Sequence, residues 1–241
     1  MLTRDPVDAQ AYIASLRAIG VEGVAMPVTR TAAPADPGAL ARALATGPFA
    51  AIVIASPRAA HELARATPHE LPEVWAVGPA TKRALEIAKI AAHHPSDVRD
   101  GAELARALVG QRALAGKRVL VPRAEEGRVE ALDILRAAGA DVVDVIAYRT
   151  VPVTADDAGI APGLALLRAG GAVACCVFAP SQVRALAAVA GELSALATRF
   201  CAIGETTAAA LREAGVGAVA VAPTPTPEGI ARAVRAVYPG S

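Results

Sequence analysis

The sequence has very few aromatic residues, which limits the ligands it can bind. Aromatic residues make up 3% of the 241 residues. A flavodoxin-type electron carrier needs aromatic side chains to sandwich its flavin, so that function is disfavoured. Strong charge of either sign is also lacking, with 24 lysines and arginines against 23 aspartates and glutamates. Without a basic stripe or an added helix-turn-helix segment, a DNA-binding regulator is disfavoured, and we expect no nucleic-acid partner.

Cysteine is scarce as well. The three cysteines, Cys175, Cys176 and Cys201, lie inside apolar runs. An odd number of cysteines in such positions predicts reduced, buried thiols. His93 and His94 form a lone adjacent pair, which is typical of a protein surface rather than of a metal site. The sequence therefore predicts no metal and no redox cofactor.

Long apolar runs and the common nucleotide and hydrolase motifs are missing. No run approaches the roughly 18 apolar residues that cross a bilayer, and the amino terminus lacks a charged-then-apolar signal. We therefore expect a cytoplasmic protein with no membrane partner. Gly-x-Ser-x-Gly, Gly-x-Gly-x-x-Gly and Gly-x-x-x-x-Gly-Lys-Ser/Thr are absent, which disfavours a serine hydrolase, a Rossmann oxidoreductase and a P-loop enzyme.

Short apolar runs alternate with helical patterns along almost the whole chain. This alternation predicts parallel β-sheets covered by helices. Ten strands suit two five-stranded sheets better than one long sheet. The strands are predicted at 23–28, 51–55, 74–77, 117–121, 141–147, 172–178, 200–203 and 218–222, with weaker signals at 1–3 and 90–93.

The chain also contains an internal repeat. Arg4 and Arg123 follow equivalent strands, as do Gly78 and Gly204, and each pair is separated by roughly 120 residues. Polar, proline-bearing segments lie at the same place in each half, at 29–37 and 148–153. If both segments are linkers, residues 38–147 form an inserted α/β domain. Residues 1–28 and 154–241 then form a second, discontinuous domain, and a ligand is expected in the cleft between the two.

Two matching junctions are the best candidates for binding residues. Gly78-Pro79-Ala80-Thr81 and Gly204-Glu205-Thr206-Thr207 each follow an apolar run and open a helical stretch. Helix-start N–H groups and a threonine hydroxyl can hold an anion there. Ser56, Arg58 and Ser181 also follow predicted strands. The hydroxyl residues would serve equally well as helix N-caps, so a purely structural role stays open for them.

Taken in order, these motifs resemble the uroporphyrinogen-III synthase family over essentially the whole chain. The resemblance is carried by Leu2-Thr3-Arg4, 51–58, 77–81, 119–123, Ala147-Tyr148-Arg149-Thr150, 178–181, 202–211 and Pro225-Thr226-Pro227-Glu228-Gly229. It implies two flavodoxin-like domains, each with a five-stranded parallel sheet, joined by two crossing segments. The implied substrate is hydroxymethylbilane, a linear tetrapyrrole with eight carboxylates. The implied reaction closes the ring with inversion of the last pyrrole and loss of water, without metal or cofactor.

The resemblance also assigns roles to residues. Tyr148 matches a tyrosine that helps the substrate hydroxyl to leave. The other matching positions are implied substrate contacts, namely Ser56, Arg58, Gly78, Thr81, Ser181, Arg199, Gly204, Thr206 and Thr207. Ala179 and Ala55 stand where the family often has serine and threonine, so two side-chain contacts are missing.

A second hypothesis is a non-catalytic two-domain binder of an anionic small molecule, a regulatory relative with the same fold. The missing serine at position 179 favours it, whereas Tyr148 and the Thr206-Thr207 pair favour the enzyme. We expect a monomer, since no long exposed apolar face is evident in the sequence.

Overall fold

The structure is a computed structural model and describes residues 1–66 and 71–238. These residues form a mixed α/β fold, as the alternation of apolar runs and helical patterns predicts. The chain divides into two compact units. We call Thr31–Thr150 the central unit, and Met1–Arg30 with Val151–Ser241 the terminal unit.

One five-stranded sheet has the order β1-β5-β4-β2-β3. Its strands are β1 Thr29–Ala32, β2 Ala51–Ile54, β3 Glu73–Ala76, β4 Arg118–Ala124 and β5 Asp141–Pro152. β2 is parallel to β3 and β4, and β4 is parallel to β5. The predicted linkers thus contain strand residues, since β1 and the end of β5 fall within them. Both strands are rich in β-branched residues, which favour an extended backbone.

Helices cover both faces of this sheet within the central unit. They are α2 Ala39–Ala45, α3 Pro57–Ala66, α4 Gly78–Ile87, α5 Gly101–Gln111 and α6 Glu130–Ala137. Successive side chains of a strand point to opposite faces. Ile52 of β2 accordingly packs in one core with Leu63 of α3, and Val53 packs in the other with Leu104 of α5. Burial on both faces explains why β2 is a continuous apolar run rather than an alternating one.

The terminal unit is built around a smaller parallel sheet of order β6-β7-β8. These strands are Ala174–Val177, Arg199–Ala202 and Val219–Val221. Leu2 forms parallel bridges to Ala25 and to Cys176 of β6, which extends the sheet by two short segments. The helices are α1 Pro6–Arg17, α7 Ala161–Arg168, α8 Pro180–Ala190, α9 Glu205–Glu213 and α10 Pro227–Val237.

Two predicted strands of the terminal unit are reduced to single bridges. The strands expected at 1–3 and 23–28 contribute only Leu2 and Ala25, held by Leu2 N–H donating to Val24 O at 2.9 Å and Met26 N–H donating to Leu2 O at 2.8 Å. The ladder stops because Asp5, three residues further on, already caps helix α1. The weak strand at 90–93 is likewise a single bridge, between His93 and Trp75.

The repeat places equivalent segments at equivalent positions within each unit. In the terminal unit the order of neighbours is Ala25, Leu2, β6, β7 and β8. In the central unit, next to the additional edge strand β1, it is β5, β4, β2, β3 and His93. Arg4 thus follows the bridge at Leu2, and Arg123 lies near the end of the matching strand β4. The two sheets place equivalent segments in the same spatial order.

The last helix, α10, begins with a side-chain cap. Pro227 is its first residue, and the Thr226 hydroxyl oxygen accepts a hydrogen bond from the N–H of Gly229 at 3.2 Å. This is the usual N-cap arrangement, with proline where its missing N–H is harmless. Among the described residues, no helix combines the length and apolar character needed to cross a bilayer.

The three cysteines are free and buried, as the sequence predicts. Cys175 and Cys176 are neighbours on β6 and enter different cores on opposite faces of the sheet. Cys176 pairs in register with Cys201 of β7. Burial raises the pKa of the Cys175 thiol to about 12.

All three thiols are expected to be unreactive in the native protein because burial keeps reagents from them, and at Cys175 burial also suppresses the nucleophilic thiolate. At pH 8, a disulfide reagent such as Ellman's should modify no cysteine within minutes, and all three after unfolding in urea. Ala113→Cys, at an exposed position, is the matched control and should add one fast-reacting thiol. Rapid modification of the unaltered native chain would contradict the buried placement.

Candidate active site

A hydrogen bond joins two of the predicted site residues in the central unit. The Ser56 hydroxyl, just after β2, lies 3.0 Å from the Tyr148 hydroxyl on β5. Ser56 Oγ also accepts the N–H of Ala59 at 3.1 Å, so it caps helix α3. A serine hydroxyl has one proton to donate. When Ser56 donates it to Tyr148, the phenolic proton of Tyr148 is available to a ligand.

A β-bulge positions Tyr148. The pairing of β4 with β5 runs in register from Arg118 to Arg123, which lies opposite Ile146, but Ala124 lies opposite Tyr148. Ala147 is therefore an extra residue. As a result Ala147 and Tyr148 pack in the same core although they are adjacent in sequence. Bulges often re-aim a side chain beside an active site, and nothing in the residue pattern predicted this one.

A cavity of about 680 Å³ opens where Ser56 and Tyr148 meet. It lies at the carboxyl ends of β2 and β4, with Ala55 and Ser56 on one side and Pro122 on the other. After β2 the chain passes to β3, and after β4 it passes to β5 on the opposite side. Such divergence of connections creates the crevice in which open α/β sheets bind their ligands.

Arg123 stabilises the wall of this cavity. Its guanidinium makes a paired interaction with the Asp144 carboxylate, at 2.8 and 2.9 Å. It also donates to the carbonyl oxygens of Ala124 and Glu125, at 2.9 and 3.2 Å. These bonds engage all three guanidinium nitrogens of Arg123. Arg123 therefore orders the loop after β4.

The two matching junctions begin helices α4 and α9. Neither helix has a side-chain cap. Thr81 and Thr207 each lie three residues after the junction glycine, and each is only 3% exposed. Within the described residues, neither hydroxyl makes a hydrogen bond to another protein group. Two largely buried threonines with unpartnered hydroxyls, beside open helix N-termini, are well placed to hold an anionic ligand or water.

The glycines of the two junctions differ in backbone conformation. Gly78 has φ +72°, a left-handed conformation that favours glycine. Gly204 has φ −173° and ψ 174°, an extended conformation open to any residue. A side chain at Gly204 would meet no atom within 4 Å. Only the first glycine is required by the backbone itself.

At the corresponding place of the terminal unit, Gln182 bridges two segments. Its side-chain oxygen accepts the N–H of Phe178 at 3.0 Å and the hydroxyl of Thr3 at 2.8 Å. Ala179 is the N-cap of α8 and offers no side-chain cap, which is the effect of the serine missing there. Ser181, in the first turn of α8, is half-buried.

The family model for uroporphyrinogen-III synthase HemD matches residues 10–232. The chain belongs to this family. The match spans both units and all the predicted site residues. No individually curated protein matches the sequence significantly.

Solved structures of the family share the fold. A mutant uroporphyrinogen III synthase from the extremely thermophilic bacterium Thermus thermophilus aligns with TM-score 0.56 and 22% identity, over 99% of this chain and 97% of that one. The Helicobacter pylori enzyme aligns with TM-score 0.63 and 18% identity, over 88% and 92% of the two chains. At these identities the likeness concerns the fold alone.

One predicted site residue, Arg199, lies away from the junction that follows β7. Arg199 is the first residue of β7, whereas Gly204 follows the carboxyl end of that strand. A four-residue strand separates the two by about 13 Å, so Arg199 lies at the opposite edge of the sheet. Arg58 is half-buried in the first turn of α3, and Thr206 is exposed next to the buried Thr207.

His93 and His94 both make polar contacts within the protein. His93 Nε2 lies 2.8 Å from the Glu73 carboxylate, and Arg112 binds the same carboxylate at 2.6 Å. A hydrogen bond from Arg112 holds the pKa of Glu73 below its usual value. In the described part of the chain, no cluster of three or more potential ligands has a metal-binding arrangement.

Serine substitutions at Gly78 and Gly204 should have different effects on the free energy of unfolding. Gly78→Ser forces a side chain into the left-handed region and should lower the free energy of unfolding by about 1–2 kcal/mol. Gly204→Ser fits the extended backbone and adds a good N-cap, so stability should be unchanged or slightly raised. Urea unfolding measures both. Equal destabilisation by the two substitutions would contradict the assigned conformations.

Proposed function

We propose that this protein closes hydroxymethylbilane to uroporphyrinogen III, with loss of water, through a site that includes Tyr148. Family membership supports the reaction, a step of tetrapyrrole and haem biosynthesis. The site is assigned from the Ser56–Tyr148 hydrogen bond, which lies at the mouth of the cavity at the carboxyl ends of β2 and β4. Apart from the missing serine at position 179, no observation on the described residues favours the alternative of a non-catalytic binder.

In this proposal, Tyr148 assists departure of the substrate hydroxyl. The carbon–oxygen bond of the hydroxymethyl group breaks, and the oxygen leaves as water with a proton from Tyr148. The adjacent pyrrole nitrogen loses a proton as the azafulvene forms, which balances the proton that Tyr148 supplies. Ser56 keeps the phenol oriented by donating to its oxygen. The far pyrrole then attacks, through a spiro intermediate that inverts the last ring.

The junctions hold the carboxylates of the substrate. We propose that Gly78 and Thr81 contact it from the central unit, and that Gly204, Thr206 and Thr207 contact it from the terminal unit. Open helix N-termini and buried threonine hydroxyls supply donors without adding charge. Holding a reactive, flexible chain in one folded conformation lowers the entropic cost of closure. Ser181 and Arg58 remain proposed contacts, whereas Arg199 is left out because of its position at the opposite edge.

The finer architecture is also a proposal. We infer two flavodoxin-like domains, one at 38–147 and one formed by 1–28 and 154–241, with 29–37 and 148–153 joining them. The common order of segments in the two sheets supports this interpretation, because it corresponds to the flavodoxin order 2-1-3-4-5 when the repeat is numbered from Leu2 and from β4.

We infer the cellular location from the cysteines and the oligomeric state from the exposed apolar side chains. Reduced, buried cysteines favour a cytoplasmic protein. The exposed large apolar residues of the described chain are scattered over separate elements, among them Val7, Ile87 and Val129, and this favours a monomer. We expect the reaction to need no metal or other cofactor.

Product-isomer analysis tests the reaction directly. Freshly made hydroxymethylbilane closes unaided to the symmetric type I isomer. With the purified protein, chromatography of the oxidised porphyrins should show mainly type III. A folded sample that yields only type I would contradict the enzyme assignment and revive the binder.

Tyr148→Phe tests the assigned proton donor. We expect kcat to fall about ten- to hundredfold, at the lower end of what general acids contribute, while the product remains type III. Ser56→Ala should have a smaller effect on kcat, since it removes the orienting partner and the cap of α3. An unchanged kcat in Tyr148→Phe would remove Tyr148 from the chemistry.

Gly204→Ser tests the anion-binding role of the α9 junction, since the new hydroxyl would cap the N–H groups that the substrate needs. We expect KM to rise several-fold while stability is kept. Thr207→Ala should also reduce the rate modestly rather than abolish it. Unchanged steady-state kinetics in both variants would exclude the junction from substrate binding.

A further inference from the structure

Cationic side chains surround the cavity beside Tyr148. Four arginines line it, namely Arg99, Arg106, Arg123 and Arg128, against one aspartate and one glutamate, Asp100 and Glu130. The whole chain carries a net charge of only +1. The excess of positive charge is therefore local to this crevice, and no sequence motif indicates that these arginines converge.

Two carboxylates near Arg99 bind backbone N–H groups at the start of α5. Asp100 Oδ1 accepts the N–H of Glu103 at 2.9 Å, and Glu103 Oε2 accepts the N–H of Arg99 at 2.7 Å. Asp100 also makes a long contact of 4.0 Å to Arg128. Within the described residues, the guanidinium groups of Arg99 and Arg106 form no ion pair.

The position of two of these arginines is unfavourable for the helices themselves. Arg99 directly precedes the N-cap of α5, and Arg128 lies two residues before α6 begins. The N-terminal end of a helix carries partial positive charge, so a cation there is repelled. An anionic ligand in the cavity would offset this repulsion. The arginines and the N-terminal ends of α5 and α6 would then bind this ligand together.

The interior of the cavity is apolar. It is lined by Val53 of β2, Val121 of β4, Val77 just after β3, and Leu132 of α6. A volume of about 680 Å³ falls within the range of small-molecule sites. The combination of an apolar interior and a cationic rim fits a flat heterocycle that bears carboxylate arms better than it fits an inorganic anion.

We propose that this cavity is a subsite for the pyrrole ring that bears the hydroxymethyl group, with Arg99 and Arg106 binding the two carboxylate arms of that ring. The inference rests on the proposed function and specifies its substrate contacts. The ring enters the apolar interior, and its hydroxymethyl group then faces Tyr148 at the mouth. Arg99 and Arg106 are thus specificity determinants for the acidic arms, while Arg123 stays paired with Asp144.

The test is the double variant Arg99→Gln/Arg106→Gln. The matched control is Lys117→Gln/Arg136→Gln, which removes two exposed charges of the same unit at the opposite edge of the sheet, before β4 and at the end of α6. Steady-state kinetics should show KM raised at least about tenfold in the first variant, with kcat changed less than about threefold. The control should match the unaltered protein.

A second measurement does not depend on turnover. Uroporphyrinogen III, kept reduced under argon, is bound to each variant in equilibrium dialysis, and an analogue with four acidic arms replaced by methyl groups is compared. The unaltered protein should prefer the full set of carboxylates, and the double variant should lose at least about tenfold of that preference. Urea unfolding checks that both variants are folded.

The outcomes distinguish failure of the proposed reaction from failure of the proposed subsite. If the unaltered protein gives type I product only, the proposed function fails, whatever the arginines do. If it gives type III product but the double variant equals its control in KM and in product preference, the subsite is overturned. A fall in kcat alone, with KM and preference unchanged, also overturns it, because that pattern indicates a role in the chemical step.

Discussion

The crevice between β2 and β4 depends on one constraint of parallel sheets, which is that every connection must return to the opposite edge. Since the chain leaves β2 on one side and β4 on the other, the connections that follow these two strands diverge at their carboxyl ends. The Ser56–Tyr148 bond, the cavity and the helix N-termini around it all follow from this divergence. The hydrophobic cores on the two faces fix the strands that create it.

Much of this architecture is readable from the sequence because it is local. The apolar runs of β2 and β3 depend on near neighbours, and the structure has strands at both places. The repeat pairs Thr81 with Thr207, and both side chains are buried. Positions decided by distant contacts were not readable. The strands expected at 1–3 and 23–28 shrink to bridges because Asp5 caps a helix so early.

The site illustrates the same division. The resemblance selected Ser56 and Tyr148, but only the extra residue Ala147 in β5 explains how a side chain so near the end of the shared pairing reaches Ser56. The resemblance assigned Arg199 to the substrate site, yet Arg199 is the first residue of β7 and lies at the opposite end of that strand from Gly204. Gln182, which bridges Thr3 and Phe178, has no motif at all.

The unequal chemistry of the two halves bears on directionality. A linear tetrapyrrole has two chemically distinct ends, and a duplicated fold with two identical sites would not distinguish them. In the terminal unit Gln182 bridges Thr3 and Phe178, whereas the matching place in the central unit holds Ser56 and an open cavity. Equivalent positions of the repeat thus differ in their polar groups, and an enzyme that must treat one end of its substrate differently from the other requires such a difference.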